Sequence, residues 1–371
     1  MGQQQSHRLA SGTYHTLRAL RRGARDVGFR TLHALVGRPP AELPRLDQAR
    51  RILLVYLNHR LGNTLLVTPA VAALRAQLPS AEIDFLGSPV ATPVLAGLGV
   101  NRVWTAERWR LASPPHALAL CRALRSRRYD VAIHLGFSGR SLGAVLTGLS
   151  GATHRIGCVS SRGNLFFTSV VQSPRARHKV DAVLEYLSRL GVAQRFERVL
   201  HLSEAERSWA AELLESRLAG ASGAAVGIFV GARAFKGKGW PIQSFAHLAR
   251  ELRERGVPLA VFLGPEERPR AAAIRAALGD AAYVEGYDIR RIAALLSQCR
   301  VVVSPDSGPM HLAIAAGART VGIFSASDPR KWGPRPPSGE SVVDPAGEKT
   351  ELVLETVLRL HRMERVEGLA S

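Results

Sequence analysis

Residues 301–317, with the sequence VVVSPDSGPMHLAIAAG, hold an acid, a hydroxyl and an imidazole between a predicted strand and a predicted helix. The β-branched run that ends at Ser304 is typical of a strand buried in a parallel sheet. The small apolar residues that follow predict a helix ending at Gly317, with Pro309 in its first turn, where no amide donor is needed. The segment therefore predicts a helix N-terminus at the carboxyl end of a strand.

Such a helix N-terminus attracts phosphate groups, because its first N–H groups have no partner within the helix. We expect Asp306 or Ser307 to cap the helix through a side-chain oxygen. Gly308 lets a ligand approach the backbone closely, and His311 lies one turn further on, within reach of the same anion. The alternative is an ordinary strand–turn–helix with a capping aspartate and a half-buried histidine.

Two further loops at predicted strand ends carry polar groups of complementary chemistry. Residues 231–241 combine glycines with three cations that suit an anion cradle: Arg233, Lys236 and Lys238. Residues 264–267 contain a carboxylate pair, Glu266 and Glu267, that could accept the hydroxyls of a ribose. A ligand with phosphate and a sugar-like part accounts for all three loops together, although each loop alone is more often simply solvated.

The composition of this 371-residue chain limits the number of domains and the kinds of partner. The chain is 46% hydrophobic and long enough for two domains. The net charge of +20 favours an anionic partner. Nucleic acid is not predicted, because aromatics make up only 6% and no basic run is interleaved with them. Three widely spaced cysteines form neither a disulfide framework nor a zinc site, which favours a reducing cytosol. We expect no membrane span and no signal peptide.

The first 49 residues form a predicted N-terminal extension and linker. Residues 1–38 hold seven arginines and a single acid, Asp26, with leucines at roughly helical spacing. A basic amphipathic helix of this kind can lie on an anionic membrane surface. A flexible basic tail, or a helix packed on the protein body, would give the same pattern.

Strands and helices alternate through the rest of the chain, which predicts an α/β fold with two doubly wound parallel sheets. We place an N-terminal α/β domain at residues 50–220 and a C-terminal α/β domain at residues 221–371. In the first domain, a loop at residues 60–64 is expected to precede one helix over residues 65–78. Ligands of such sheets bind at the carboxyl ends of the strands, so two domains facing across a cleft would bind two substrates.

The chain resembles the heptosyltransferase family, glycosyltransferase family 9, over about residues 50–340, a length usual for two such domains. The matching segments include the strand-end motifs discussed above; they are Arg60-Leu61-Gly62 with Leu65–Ala70, Lys238-Gly239-Trp240-Pro241, Gly264 with Glu266, Asp306–Ala313 and Trp332-Gly333-Pro334. The resemblance implies the GT-B fold and a cytoplasmic enzyme, peripheral on the inner face of the cytoplasmic membrane. Its implied reaction moves heptose from ADP-heptose to the inner core of lipopolysaccharide, with inversion and without a metal or other cofactor.

The resemblance also implies roles for individual residues. Lys238 would neutralise the diphosphate leaving group and Glu266 would hold the ribose. The expected donor-binding set is Arg233, Lys236, Lys238, Glu266, Asp306, Ser307, Gly308 and His311. The expected acceptor-binding set, in the N-terminal domain, is Arg60, Gly62, His134 and Arg140.

The sequence departs from the family pattern on the acceptor side. Asn63 stands where the family usually has an aspartate that serves as the presumed base, and an amide cannot take a proton from a hydroxyl. His134 stands where the family often has an acid. If the protein is catalytic, His59 in the same loop is the favoured base and His134 the second candidate. The alternatives are a nucleotide-sugar-binding protein with impaired catalysis, and a transferase of the same fold that uses another sugar or acceptor.

Overall fold

The structure is a computed structural model that describes residues 42–139, 141–158, 165–193, 199–218, 224–231 and 237–363. The predicted extension at residues 1–38 lies outside these residues, as do three of the predicted ligand-binding side chains: Arg140, Arg233 and Lys236. Within the described residues the predicted α/β class is confirmed, with two six-stranded parallel sheets and helices between the strands.

The first sheet has the strand order β3-β2-β1-β4-β5-β6. Its strands are β1 (Arg51–Tyr56), β2 (Glu82–Gly87), β3 (Arg102–Thr105), β4 (Val131–His134), β5 (His154–Cys158) and β6 (Ser169–Val171). The helices along this part of the chain are α1 (Leu61–Leu65), α2 (Thr68–Gln77), α3 (Ala91–Leu95), α4 (Arg108–Leu111), α5 (Pro114–Ser126), α6 (Leu142–Leu149), α7 (Lys179–Ser188) and α8 (Glu204–Arg217).

The second sheet has the strand order β12-β11-β10-β7-β8-β9. Its strands are β7 (Val226–Phe229), β8 (Leu259–Leu263), β9 (Ala282–Glu285), β10 (Val301–Pro305), β11 (Arg319–Phe324) and β12 (Gly339–Val343). The accompanying helices are α9 (Ile242–Glu254), α10 (Ala271–Leu278), α11 (Ile289–Gln298), α12 (Gly308–Ala315), α13 (Pro329–Trp332) and α14 (Thr350–Arg362). In this order the strand sequence switches direction between β7 and β10, while all strands stay parallel, and such a switch point is where doubly wound sheets bind their ligands.

Burial on both faces explains why the inner strands β7, β8 and β10 of the second sheet are continuous and mostly apolar. In β10, Val301 and Val303 contribute to one core cluster and Val302 to another. The same alternation occurs in β8, where Val261 and Phe262 point into different clusters. Because side chains alternate across a strand, each of the two clusters covers one face of the sheet.

The segment after β1 differs from its prediction. In place of a loop at residues 60–64 and one helix at 65–78, the chain forms α1 and then α2. Pro69 cannot donate a backbone hydrogen bond, so it suits the first turn of a new helix but not the interior of a longer one. The Thr68 hydroxyl donates to the Leu65 carbonyl at 2.8 Å and closes the junction between the two helices.

The chain forms two compact units that do not follow a single cut in the sequence. One contains the described residues among 1–57, 84–86 and 107–173, and the other those among 58–83, 87–106 and 174–371. The loop after β1 therefore belongs to the same unit as the second sheet. The boundary near residue 220 stays a prediction.

A buried carboxylate connects the segment around Lys238 to the end of β12. Asp344 is 1% exposed and accepts hydrogen bonds from the Trp240 indole at 2.8 Å and from three backbone N–H groups, those of Gly347, Glu348 and Lys349. Burial alone would raise the pKa of Asp344, but these four donors outweigh it and lower the pKa below its usual 3.8.

We expect Asp344→Asn to lower the free energy of unfolding by about 1–3 kcal/mol, because a group that accepts four hydrogen bonds as a carboxylate becomes a neutral amide. A carboxyl group with a lowered pKa stabilises the fold above its unfolded pKa, and this stabilisation is lost as the pH falls. The difference between wild type and variant in urea unfolding should therefore shrink below pH 3.8. A difference independent of pH would show that the charge of Asp344 is not what stabilises this corner.

Candidate functional site

A cavity of about 540 Å³ lies at the carboxyl ends of strands in the second sheet, within the unit that contains that sheet. Its walls come from the loops after β7, β8, β9 and β10 and from the loop after β1. The residues predicted as functional that line it are His59, Arg60, Gly62, Asn63, Lys238, Glu266, Asp306, Ser307, Gly308 and His311. The structure thus forms one cavity from residues that are up to 273 positions apart, between His59 and Trp332.

The N-terminus of α12 opens into this cavity, but the predicted capping is wrong. Ser307 occupies the N-cap position with an extended backbone, and among the described residues no side chain caps the helix. The Ser307 hydroxyl is instead 3.2 Å from the hydroxyl of Ser304, and the Asp306 carboxylate is engaged by two other side chains. The first N–H groups of α12 are therefore not occupied by a capping side chain and can meet an anion.

Asp306 and Lys238 form an ion pair in the wall of the cavity. The Lys238 ammonium and the Ser327 hydroxyl both donate to Oδ2 of Asp306. On the other carboxylate oxygen, Oδ1 lies 3.9 Å from Nε2 of His311. The Asp306 side chain is 5% exposed and that of Lys238 is 27% exposed, so the carboxylate is buried while the ammonium keeps access to the cavity.

His311 is packed against the loop that follows β1. A Cβ atom at Gly62 would collide with the His311 ring, and one at Gly308 would touch the side chain of Leu61 at 3.5 Å. Glycine is therefore required at position 62 for α1 and α12 to pack closely. This packing places the Arg60–Asn63 loop and the predicted donor residues on the same cavity.

Of the two adjacent acids after β8, the structure buries the one that was not singled out by sequence. Glu266 is exposed at the cavity, whereas Glu267 is 3% exposed and accepts a hydrogen bond from the Gly264 N–H at 3.0 Å. A Cβ at Gly231 would overlap the Glu267 carboxylate. Burial raises the pKa of Glu267, so its carboxyl group is poorly hydrated and is held in place by the Gly264 N–H.

Asn63 is fixed by a second asparagine in the loop after β1. Its side-chain amide donates to Oδ1 of Asn58 at 3.1 Å, and the same oxygen accepts from the Arg60 N–H at 3.0 Å. With its NH₂ group held in this way, the carbonyl oxygen of Asn63 is the group left to accept a hydroxyl. His59, next to Asn58, is exposed and lines the cavity.

His134 lies elsewhere, in the unit that contains β4. It is 3% exposed, its Nε2 is 3.1 Å from the Ser141 hydroxyl that caps α6, and its ring lies 5.5 Å from that of Phe167. Burial lowers the pKa of His134 to about 4. Through these contacts His134 connects β4 to the N-cap of α6, and it does not line the cavity described above. Its role in acceptor binding stays a prediction without support from these contacts.

Sequence reasoning missed the loop after β9, which adds Tyr287, Asp288 and Ile292 to the cavity wall. The Asp288 carboxylate caps α11 by accepting from the Arg291 N–H at 2.9 Å. This loop could have been predicted from its position after the third strand of the second sheet, because the loops at the carboxyl ends of parallel strands all lie at the same edge of the sheet.

The two sheets, each of order 3-2-1-4-5-6, define the GT-B fold, which is the fold of the solved structures described below. The family model for glycosyltransferase family 9 (heptosyltransferase) matches residues 117–359, and the chain belongs to this family.

Relatives with known functions are similar along most of their length. Lipopolysaccharide heptosyltransferase 3 of Escherichia coli is 26% identical over 308 residues, which cover 78% of this chain and 88% of the relative. Lipopolysaccharide heptosyltransferase 2 of Escherichia coli K12 is 23% identical over 72% of this chain and 81% of the relative.

Solved structures of the same fold include a family 9 glycosyltransferase from Veillonella parvula, with a TM-score of 0.76 and 21% identity over 87% of this chain and 99% of that one. The Escherichia coli heptosyltransferase WaaC with ADP has a TM-score of 0.68 and 20% identity over 84% of this chain and 99% of that one. At these identities the structures support the fold.

We expect Lys238→Ala to weaken the binding of ADP by roughly 10- to 100-fold, because a charge-assisted contact to a phosphate contributes about 1.5–3 kcal/mol. Isothermal titration with ADP measures this, with circular dichroism to show that the fold is intact. The matched control is Lys331→Ala, which removes a lysine that does not line the cavity. Equal affinities of wild type and Lys238→Ala would remove Lys238 from the site.

Glu267→Gln should weaken nucleoside binding without loss of stability, because an amide can still accept from the Gly264 N–H but is a weaker acceptor for ribose hydroxyls. An acid whose pKa is raised in the fold destabilises it increasingly as the pH rises through and above the unfolded value of 4.5. The difference in melting temperature between Glu267→Gln and wild type should therefore shift in favour of the variant as the pH is raised through and above 4.5. The control is Glu266→Gln, and a larger effect of that variant on nucleoside binding would assign the ribose to Glu266.

Proposed function

We propose that this family 9 glycosyltransferase moves a heptose from an ADP-sugar to the inner core of lipopolysaccharide, with inversion and without a metal ion. The observation that carries this proposal is the convergence of the Lys238–Asp306 pair, the N-terminus of α12 and the buried Glu267 on one cavity. The names of the relatives support heptose and lipopolysaccharide as the substrate classes.

In this proposal the donor lies with its diphosphate at the N-terminus of α12 and its ribose at Glu267, with Glu266 beside it. Lys238 and the first N–H groups of α12 stabilise the negative charge that develops on the diphosphate as the bond to the sugar breaks. Ser307 and His311 border the same position and contact the phosphate or the sugar. Arg233 and Lys236 would add positive charge, but they lie outside the described residues.

The largest change in charge during this reaction is on the diphosphate leaving group. Lys238 and the N-terminus of α12 both stabilise negative charge at that position. Among the described residues, no three His, Cys, Asp or Glu side chains are grouped to hold a metal ion.

The proton of the acceptor hydroxyl needs a base, and Asn63 cannot serve as one. We propose that the Asn63 carbonyl oxygen orients the hydroxyl and that His59 takes its proton. Both residues line the cavity with Arg60 and Gly62, within the short segment formed by the end of the loop after β1 and the first turn of α1. His134 is a poorer candidate, since burial lowers its pKa to about 4 and makes it a weak base.

Product formation from radiolabelled ADP-heptose with a lipopolysaccharide acceptor tests the function directly. Other nucleotide sugars and acceptors, run in parallel, test the alternative of a transferase with a different substrate. Binding of ADP without transfer from any donor would instead favour the binding protein with impaired catalysis, for which Asn63 is the specific observation.

We expect His59→Ala to abolish transfer while ADP affinity stays unchanged, because His59 would act on the acceptor and not on the donor. Asn63→Asp should keep or raise activity, since a carboxylate can serve as the base at this position. The matched control is His201→Ala, which removes a histidine that does not line the cavity.

The pH profile of kcat separates the two bases, because a histidine and a carboxylate titrate in different ranges. Transfer at the wild-type rate by His59→Ala would exclude His59 as the base. If wild type shows no transfer and Asn63→Asp gains it, the chain is a donor-binding protein that has lost its catalytic base.

A further inference from the structure

The helical pair formed by α4 and α5, residues 108–126, has an unusually open surface; we call it the arginine hairpin. Of the thirteen residues of α5, only Leu124 is buried. Trp109 on α4 is 68% exposed and Leu118 on α5 is 49% exposed. An apolar side chain that stays in water loses the stabilisation that burial would give it, so two such groups on one hairpin need an explanation.

The inward and outward faces of α5 can be told apart by burial. Leu120 and Cys121 are half-buried beside Leu124 and form the side that packs on the protein. Leu118, Arg122 and Arg125 follow each other at spacings of four and three, and all are exposed. These spacings place them on one face of the helix, which therefore presents a leucine flanked by arginines to solvent.

Charge on the hairpin has one sign. Its exposed cations include Arg108, Arg110, Arg122 and Arg125, and the segment 108–126 contains no acid. The nearest acid in sequence, Glu107, accepts from the indole N–H of Trp109 and lies 3.7 Å from the Arg110 guanidinium.

Trp109 is held in an orientation that suits a boundary between water and lipid. The Arg110 guanidinium lies over its ring, 4.9 Å from the centroid. A tryptophan with a satisfied N–H and arginines with long apolar stems are the side chains that bind the headgroup region of a bilayer. The same groups fit single-stranded nucleic acid less well, since that requires a series of aromatic platforms and the hairpin has one.

We propose that the arginine hairpin docks on the surface of an anionic bilayer, with the arginines at lipid phosphates and Trp109 and Leu118 in the headgroup region. Docking of this kind requires no membrane-spanning element, and no helix of the described residues is long and apolar enough to span one. The inference deepens the proposed function, because a glycolipid acceptor is presented at such a surface. It is independent of residues 1–38, which lie outside the described residues.

Co-sedimentation of the full chain with vesicles tests the docking surface. One set of vesicles is pure phosphatidylcholine and the other contains phosphatidylglycerol. We expect binding to the anionic set alone, weakening as salt is raised. Replacing two arginines in Arg108→Gln/Arg122→Gln should reduce the partition coefficient roughly 30-fold, because each arginine near an anionic surface contributes about 1 kcal/mol.

Trp109→Ser and Leu118→Ser test the apolar part of the surface, and both should bind anionic vesicles more weakly than wild type. If the tryptophan fluorescence of wild type shifts to the blue on these vesicles and that of Trp109→Ser does not, the indole of Trp109 enters the lipid. Matched controls are Leu352→Ser, an equally exposed leucine on α14 next to Glu351, and Arg250→Gln/Arg255→Gln, which removes one exposed arginine from α9 and another directly after it. These controls should bind as wild type does.

The proposal is overturned if every hairpin variant binds the anionic vesicles as tightly as wild type does, or if no protein, wild type included, binds them. It is also overturned if the control variants lose as much binding as the hairpin variants. Transfer to a water-soluble acceptor fragment is measured in the same variants and should be unchanged. If wild type does not transfer sugar to the soluble fragment, the proposed function is contradicted, but the result of the vesicle experiment is unaffected.

Discussion

The buried carboxylate of Asp306 and the ammonium of Lys238 form the interaction on which the cavity depends. A carboxylate that is 5% exposed is costly unless it is paired and hydrogen-bonded. Lys238 and Ser327 supply those partners from two other loops. The pair also holds a lysine close to a helix N-terminus, where a cation is electrostatically unfavourable and an anion is favoured. Asp306 offsets this repulsion in the free protein, and a bound diphosphate would relieve it directly.

Close packing joins the loop after β1 to this charged centre. Only a residue without a Cβ fits at position 62 against the His311 ring. The contact between α1 and α12 therefore sets how near Asn63 and His59 come to the donor side of the cavity. This explains why one unit contains both the predicted donor residues and a loop that the sequence places in the N-terminal domain.

Sequence predicted what depends on local pattern. The apolar runs of β1, β7, β8 and β10 and the turns at their ends were sufficient to predict two parallel sheets and the edge at which ligands bind. The short strand β6 was not predicted, because three residues are too few to show the alternation of apolar and polar side chains that indicates a strand. Asp306 was predicted as a helix cap because sequence cannot show that Lys238, 68 residues away, engages its carboxylate. The resemblance singled out Glu266 for the ribose, whereas the structure buries Glu267, because the turn after β8 decides which of the two adjacent acids is buried.

The two asparagines after β1 suggest how the loop accommodates the loss of the family's acid. Oδ1 of Asn58 is fixed by the Arg60 N–H, so the group that faces it at position 63 must be a donor. An amide meets that requirement, whereas a carboxylate would set two acceptor oxygens against each other unless Asn58 turned its amide and gave up the bond to Arg60. The amide also leaves the cavity with one negative charge fewer beside an anionic donor. The loop is thus internally consistent with an asparagine at position 63. In the proposed mechanism the base must therefore come from another residue, and His59, four residues earlier on the same cavity, is the one we propose.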